Sequence, residues 1–252
     1  MRLRLIKPAN MSPASGVSNV LHLGLLLLLP LSMFVLVRAS FVQVALALVL
    51  LSKWRMFAVQ PRFWLINIRA NAVDIIFGVS MLIFMVRAEE VLTMLIWAAV
   101  YAIWLIYIKP LTSLFGNAIQ AGLGQLAGLS ALFLFWVDGP LIGLVFVAGL
   151  ICYLSARHYF DAFDEPLGRL LSASWAYFAA ALMWILGHWL LFYGSVAQPT
   201  LLLTVLGYGV AVLYYLDHHE RLSHLLRRQV IGVMFVVVTV VLLFSDWSNK
   251  IV

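Results

Sequence analysis

The sequence predicts an all-α integral membrane bundle of nine transmembrane helices, with the N-terminus inside and the C-terminus outside. Three observations lead there. Of the 252 residues, 65% are hydrophobic and 10% charged, and mean hydropathy is +1.06. A soluble domain carries roughly 45–50% apolar and about 25% charged residues. The apolar residues are gathered into runs near the ~20 residues that a membrane-crossing helix needs. Finally, Lys and Arg are distributed unevenly among the connections. The composition excludes a soluble globular protein, a disordered chain, a soluble nucleic-acid binder and, with Cys152 as the single cysteine, a disulfide scaffold. Residues 1–252 read as one transmembrane domain.

The first run, 20–37, follows Arg2, Arg4 and Lys7. It is long for a signal peptide, and Val37, Arg38, Ala39 and Ser40 make a poor cleavage site. It reads as a retained span kinked near Pro30. The second run, 39–51, is short and reaches across only if extended to Trp54 or if the membrane thins. The others are 72–86, 91–108, 117–137, 141–154, 171–193, 200–216 and 230–244. With the N-terminus inside, inner segments hold Arg2, Arg4, Lys7, Lys53, Arg55, Arg62, Arg69, Lys109, Arg157, Arg169, Arg221, Arg227 and Arg228. Outer segments hold only Arg38, Arg87 and Lys250. This asymmetry sets the orientation, with Arg55, Arg62 and Arg69 at one face and Asp138 at the other. It also accounts for the net charge of +6 by affinity for an anionic inner leaflet, so membrane lipids are the expected partners and no nucleic acid is implied.

Three inner connections are long enough to carry chemistry. In 52–71, Arg55, Arg62 and Arg69 recur every seven residues among aromatic and aliphatic side chains, a pattern that suits a segment lying among lipid headgroups. Pro61 should divide it into two short helices. In 155–170, Asp161, Asp164 and Glu165 form either a charge ladder with Arg157 and Arg169 or a site for a hard cation. In 217–229, Asp217 should pair with Arg221 and Glu220 with His224 on a short helix. His219, Glu220 and His224 depart from the H-E-x-x-H zinc spacing.

Ionisable and amide groups within spans are the candidate binding residues. Asp74 sits three residues after Asn71, which reads as an N-cap. Gln43, Gln120 and Gln125 are the amides nearest mid-depth. Gly116, Gly124 and Gly128 share the stripe of Gln120, a surface for close helix approach, with Gly207, Gly209 and Ala211 as its expected partner. His188 lies in an aromatic belt with Trp184, Trp189 and Tyr193, and His22 reads the same way at the inner side. No lysine falls inside a run.

Asp161-Ala-Phe-Asp164-Glu165 resembles, in placement and partly in pattern, the second acidic cluster, D-x-x-D-D, of membrane-embedded aromatic prenyltransferases. That family has nine spans and an inside N-terminus. The resemblance implies metal ions holding a prenyl diphosphate. The family's first cluster, N-D-x-x-D-x-x-x-D, is represented here only by Asn71 and Asp74. Residues 53–74 and 157–169 resemble those of bacterial multi-pass membrane proteins with no assigned activity, which implies a bacterial plasma-membrane location. The function expected is handling of a small or lipidic solute, as a transporter or transporter-like subunit. The alternatives are an assembly subunit with a membrane-protein partner and a prenyltransferase-like enzyme. The sequence specifies no cofactor.

Overall fold

The computed structural model describes residues 16–246 except 59, 137–138, 189–191 and 194–195; the side chains of 16–22, 55 and 192–193 are also outside the description. The expectations for His22, for the side chain of Arg55 and for Asp138 fall there. The described chain is all-α apart from one short antiparallel ribbon, β1 (Phe192–Tyr193) with β2 (Val196–Ala197). Its helices are α1 (Gly16–Arg38), α2 (Val42–Leu51), α3 (Trp64–Ala70), α4 (Ala72–Arg87), α5 (Val91–Ile103), α6 (Leu114–Phe135), α7 (Leu141–Asp161), α8 (Gly168–Gly187), α9 (Gln198–His218) and α10 (His224–Phe244).

Six helices among the described residues are long and apolar enough to cross a membrane: α5 with its continuation to Ile108, and α6 to α10. A seventh follows if the segment from Pro61 through α4, bent by 62° at Asn71, is one span. The part of α1 whose side chains are described, Leu23–Arg38, and α2, at 10 residues, are shorter apolar helices. α1 runs on through Pro30, whose side chain is fully buried. Ser40 turns the chain into α2 with a positive φ of 64°.

α4 occupies the middle of the front half of the bundle, touching α1, α2, α5, α6 and α7. Its close approach to α6 depends on glycine. A Cβ on Gly124 would lie 2.6 Å from Cγ1 of Val73, and one on Gly128 the same distance from Cγ2 of Ile76. The glycine stripe therefore packs chiefly on α4 rather than on the expected face of α9, because the β-branched Val73 and Ile76 fill the space that the missing side chains leave. Gly209 of α9 instead faces Met234 of α10. One buried core joins α1, α2, α4, α5 and α6, and a second joins α6 to α9.

The segment between α2 and α4 is broken before Pro61, but into 3₁₀ turns as well as a helix, so the arginines share no single helical stripe. It folds as 3₁₀ turns at Trp54–Phe57 and Pro61–Phe63, followed by α3. Pro61 opens the second turn, where its missing N–H costs nothing. Arg62 is exposed and lies over its neighbour Phe63, whereas Arg69 pairs with Asp161. Trp54, Phe57, Leu65 and Ile66 are exposed. Residues 217–224 do not form the expected separate short helix. α9 ends at His218, Glu220 takes a positive φ of 53°, and Ser223 caps α10 by accepting from the Leu226 amide.

Candidate functional site

The last turn of the 91–108 segment sets up the site. α5 continues into a π turn, Trp104–Ile108, closed by the Lys109 amide donating to the Trp104 carbonyl at 2.8 Å. On an α-helix, residues five apart point about 140° away from each other. In the wider π turn, with its i→i+5 bond, they come into register. Trp104 and Lys109 accordingly reach the same carboxylate.

That carboxylate is Asp74, in the first turn of α4. Trp104 Nε1 donates to its Oδ1 at 2.9 Å, and Lys109 Nζ lies 2.7 Å from its Oδ2. Lys53, from the turn after α2, makes a second ion pair to the same Oδ2. The indole of Trp104 is stacked on Phe77, one helical turn along α4, with ring centroids 3.8 Å apart and planes inclined by 9°. A buried carboxylate is tolerable only when paired and hydrogen-bonded, and here three donors converge on it. Two cations on one anion leave the triad with a single positive charge.

The two lysines respond differently. Lys53, with 7% of its side chain exposed, loses most of its water. Its ammonium is pushed down to about 8 by burial, which outweighs the attraction of Asp74. Lys109 keeps 39% of its side chain exposed. Burial opposes its charge too, but Asp74 prevails and its titration moves upward.

Beside the triad is a cavity of about 300 Å³ lined by Asp74, Lys109, Thr112, Asn117, Gln120 and His158, with Asn71, Val73, Trp104, Ala70 and Leu111 completing the wall. Gln120 shapes it. Its Nε2 donates to the carbonyls of Ile108, Lys109 and Leu111 at 2.8–3.2 Å, and its Oε1 lies 3.0 Å from His158 Nε2. It thus ties the loosened carbonyls of the π turn to α6 and α7. Above α4, Asp161 bridges Arg157 at 2.8 Å and Arg69 at 3.5 Å. The connections after α2, α5 and α7 therefore meet at one end of the bundle.

The sequence-derived candidates scatter around this cavity. Asp74 and Gln120 line it. Gln125 is buried elsewhere, donating to the Leu203 carbonyl and accepting from Trp175 Nε1. Gln43 is exposed on α2, and His188 is exposed and bonded to the Trp184 carbonyl at 2.6 Å. A central cavity shared by Gln43, Gln120 and Gln125 does not form. The capping expectation also changes: Asn71 precedes α4 but its side chain donates to the Asn67 carbonyl and accepts no amide of α4, and Asp74 faces the lysines.

Asp161, Asp164 and Glu165 do not converge. Asp161 faces the arginines, Asp164 is exposed at a positive φ of 52°, and Glu165 accepts from the Tyr214 hydroxyl and the Leu167 amide. The bond from Tyr214 holds the Glu165 carboxyl below its usual range. Of the four acids a diphosphate site would need, only Asp74 lines the cavity. Among the described residues, no group of three His, Cys, Asp or Glu is placed to hold a metal ion. Lys53, Trp104, Lys109, Thr112, Asn117 and His158 are the residues that sequence reasoning missed. Comparisons with protein families, with curated proteins and with solved structures found no match to this chain.

Proposed function

We propose that the chain is a multi-pass protein of a bacterial plasma membrane that handles a small or lipidic solute, in the manner of a transporter or a transporter-like subunit. The polar cavity at Asp74 and Lys109 carries this reading. Ionisable and amide groups gathered around a half-open space at one end of a membrane bundle are a functional-site hypothesis by default. The proposed topology has nine crossings, with α1, α2 and α4 supplementing the six long helices, the N-terminus inside and the C-terminus outside. Its support is that Lys53, Arg69, Lys109 and Arg157 gather at a single end, which would face an anionic inner leaflet. Arg55, Arg62 and Arg69 are then headgroup contacts, with the exposed aromatic side chains of 54–66 lying among the lipids.

Reconstitution into vesicles with a panel of solutes tests the function. Uptake that is lost when Asn117→Leu fills the cavity supports it; a panel that neither binds nor crosses defeats it. Single-cysteine variants Ser195→Cys and Ser223→Cys, in a Cys152→Ser background, test the topology. An impermeant reagent applied to intact cells should label only the first.

A second reading, an assembly subunit with a membrane-protein partner, rests on α10. Among its described residues only Val241 is buried, and one face packs on α9, so the exposed face with Ile231, Val233, Phe235, Val236 and Phe244 is open to a neighbouring helix or lipid. A stable complex in native mass spectrometry that dissociates on α10 substitution would favour it.

A further inference from the structure

We infer that the occupant of the cavity is an anion, a phosphate- or carboxylate-bearing group held by Lys109, Thr112 and Asn117. This rests on the solute-handling reading above and specifies the chemistry of the same site. The argument begins with charge. Asp74 is the one carboxylate in the wall, and its oxygens already receive Lys53, Lys109 and Trp104. A cation entering there would meet two ammonium groups and an anion that is already compensated. An anion would meet the surplus positive charge.

The second strand of the argument is the donor set. Lys109 has three N–H donors, and its contact with Asp74 leaves others available on a side chain 39% exposed. Thr112, which is exposed, and Asn117, which is half-buried, both line the cavity, so their side chains are accessible to an occupant. They flank the start of α6, a helix of 22 residues. Its N-cap, Ser113, accepts from the Gly116 amide at 3.0 Å, leaving the preceding first-turn amides without partners inside the helix. The helix start lies between these two lining residues, so its positive end is near the cavity. At about 300 Å³ the space is at the lower end of ligand-site volumes, suited to one anionic group with a small substituent or a few waters.

The same chemistry is offered by a free anion and by a lipid headgroup, and the test separates them. The full-length protein is placed in phosphatidylcholine nanodiscs and titrated calorimetrically with inorganic phosphate and with succinate. In parallel, native mass spectrometry follows retention of phosphatidylglycerol by protein from mixed nanodiscs. Saturable binding in the first arm identifies a soluble anion; selective retention in the second identifies a headgroup. In whichever arm binds, Lys109→Gln should weaken binding roughly tenfold or more, the scale of a charge-assisted bond. Lys109→Arg should restore most of it, and Thr112→Val should cost a few-fold. Lys109→Gln leaves Lys53 on Asp74, and an unchanged melting temperature would show that folding is intact. Should that variant fail to fold, Thr112→Val and Asn117→Leu carry the same test from the other wall. Binding unchanged in all three variants overturns the proposal. So does an absence of anion binding in both arms. If a neutral or cationic solute binds instead and Asn117→Leu abolishes it, the anion inference fails while solute handling stands. If nothing binds, both fall.

Discussion

α6 and α10 are nearly equal in length, at 22 and 21 residues, and α10 is the more hydrophobic, with hydropathy 2.0 against 1.5. Yet 56% of the α6 span is buried inside the bundle and only 6% of the α10 span. In water the more apolar helix would be the more buried. Lipid removes that preference, because a leucine gains little by exchanging an acyl chain for a neighbouring helix. What selects a helix for the interior is small residues that admit close contact and polar residues that need partners. α6 has both, in Gly124, Gly128, Gln120 and Gln125. α10 is Val, Leu and Phe along most of its length, with an exposed Phe235 and Phe244.

The sharpest way to break this contrast is at the polar residue beside α6. Asp74→Asn removes the anion between two lysines, leaving buried charge uncompensated. Breaking a buried ion pair in this way costs roughly 3–5 kcal/mol, so the variant should be recovered poorly or melt far below the parent in a detergent thermal-shift measurement. Lys53→Met, combined with Asp74→Asn, should recover part of the loss, because it removes one of the stranded charges.

Next in size are the glycines. Gly124→Leu and Gly128→Leu each place carbon where Val73 or Ile76 already stands, and overpacking of this kind typically costs about 1–3 kcal/mol. Each should lower the melting temperature and also weaken binding at the cavity, since Val73 adjoins Asp74. Unchanged stability in both would contradict the packing of α6 on α4.

A third test changes pH. Folding lowers the titration of Lys53 from its usual 10.5 to about 8. Below pH 8 both states are protonated, and the folded state bears the full penalty of the buried charge. Between about 8 and 10.5 the unfolded chain holds the proton that the folded chain has released. Stability should therefore rise with pH across that window. Thermal unfolding of the parent from pH 7.5 to 10 should show the rise, and Lys53→Met should flatten it.

The smallest effect is expected on α10. A Cβ at Gly232 meets nothing within 4 Å, so Gly232→Leu should change stability by no more than about 0.5 kcal/mol. A large loss there would mean that α10 has a partner, and would favour the assembly reading over lipid exposure.

Much of the helical layout was legible in the sequence because the signal is redundant. The run 141–154 marks α7 even though the helix continues to Asp161, and the runs 91–108 and 230–244 fall on observed helices. The candidate site was only half legible. Asp74 and Gln120 stand out as polar residues in apolar runs. Lys53 does not, since it lies 21 residues before Asp74 in a connection rich in basic groups and reads as another headgroup contact. Trp104 and Lys109 are obscured for a geometric reason: a spacing of five places them on different faces of any α-helix. The acids at 161–165 misled in the opposite sense. They are adjacent in sequence, but Arg69 and Tyr214, from α3 and α9, draw Asp161 and Glu165 apart.

The π turn at Trp104–Ile108 can also be regarded as a phase shift. It holds one residue more per turn than the α-helix leading into it, so everything beyond it is rotated relative to the face that α5 presents to α4. Removing a single residue there, such as Ile106, would let the helix close to ordinary α geometry without disturbing its apolar character. The span would survive, and Trp104 and the lysine after it would then stand four apart, on one face of an α-helix, still able to address one carboxylate. The widened turn thus makes a spacing of five equivalent to the spacing of four that an α-helix would need, which is how an extra residue is carried without losing the shared carboxylate.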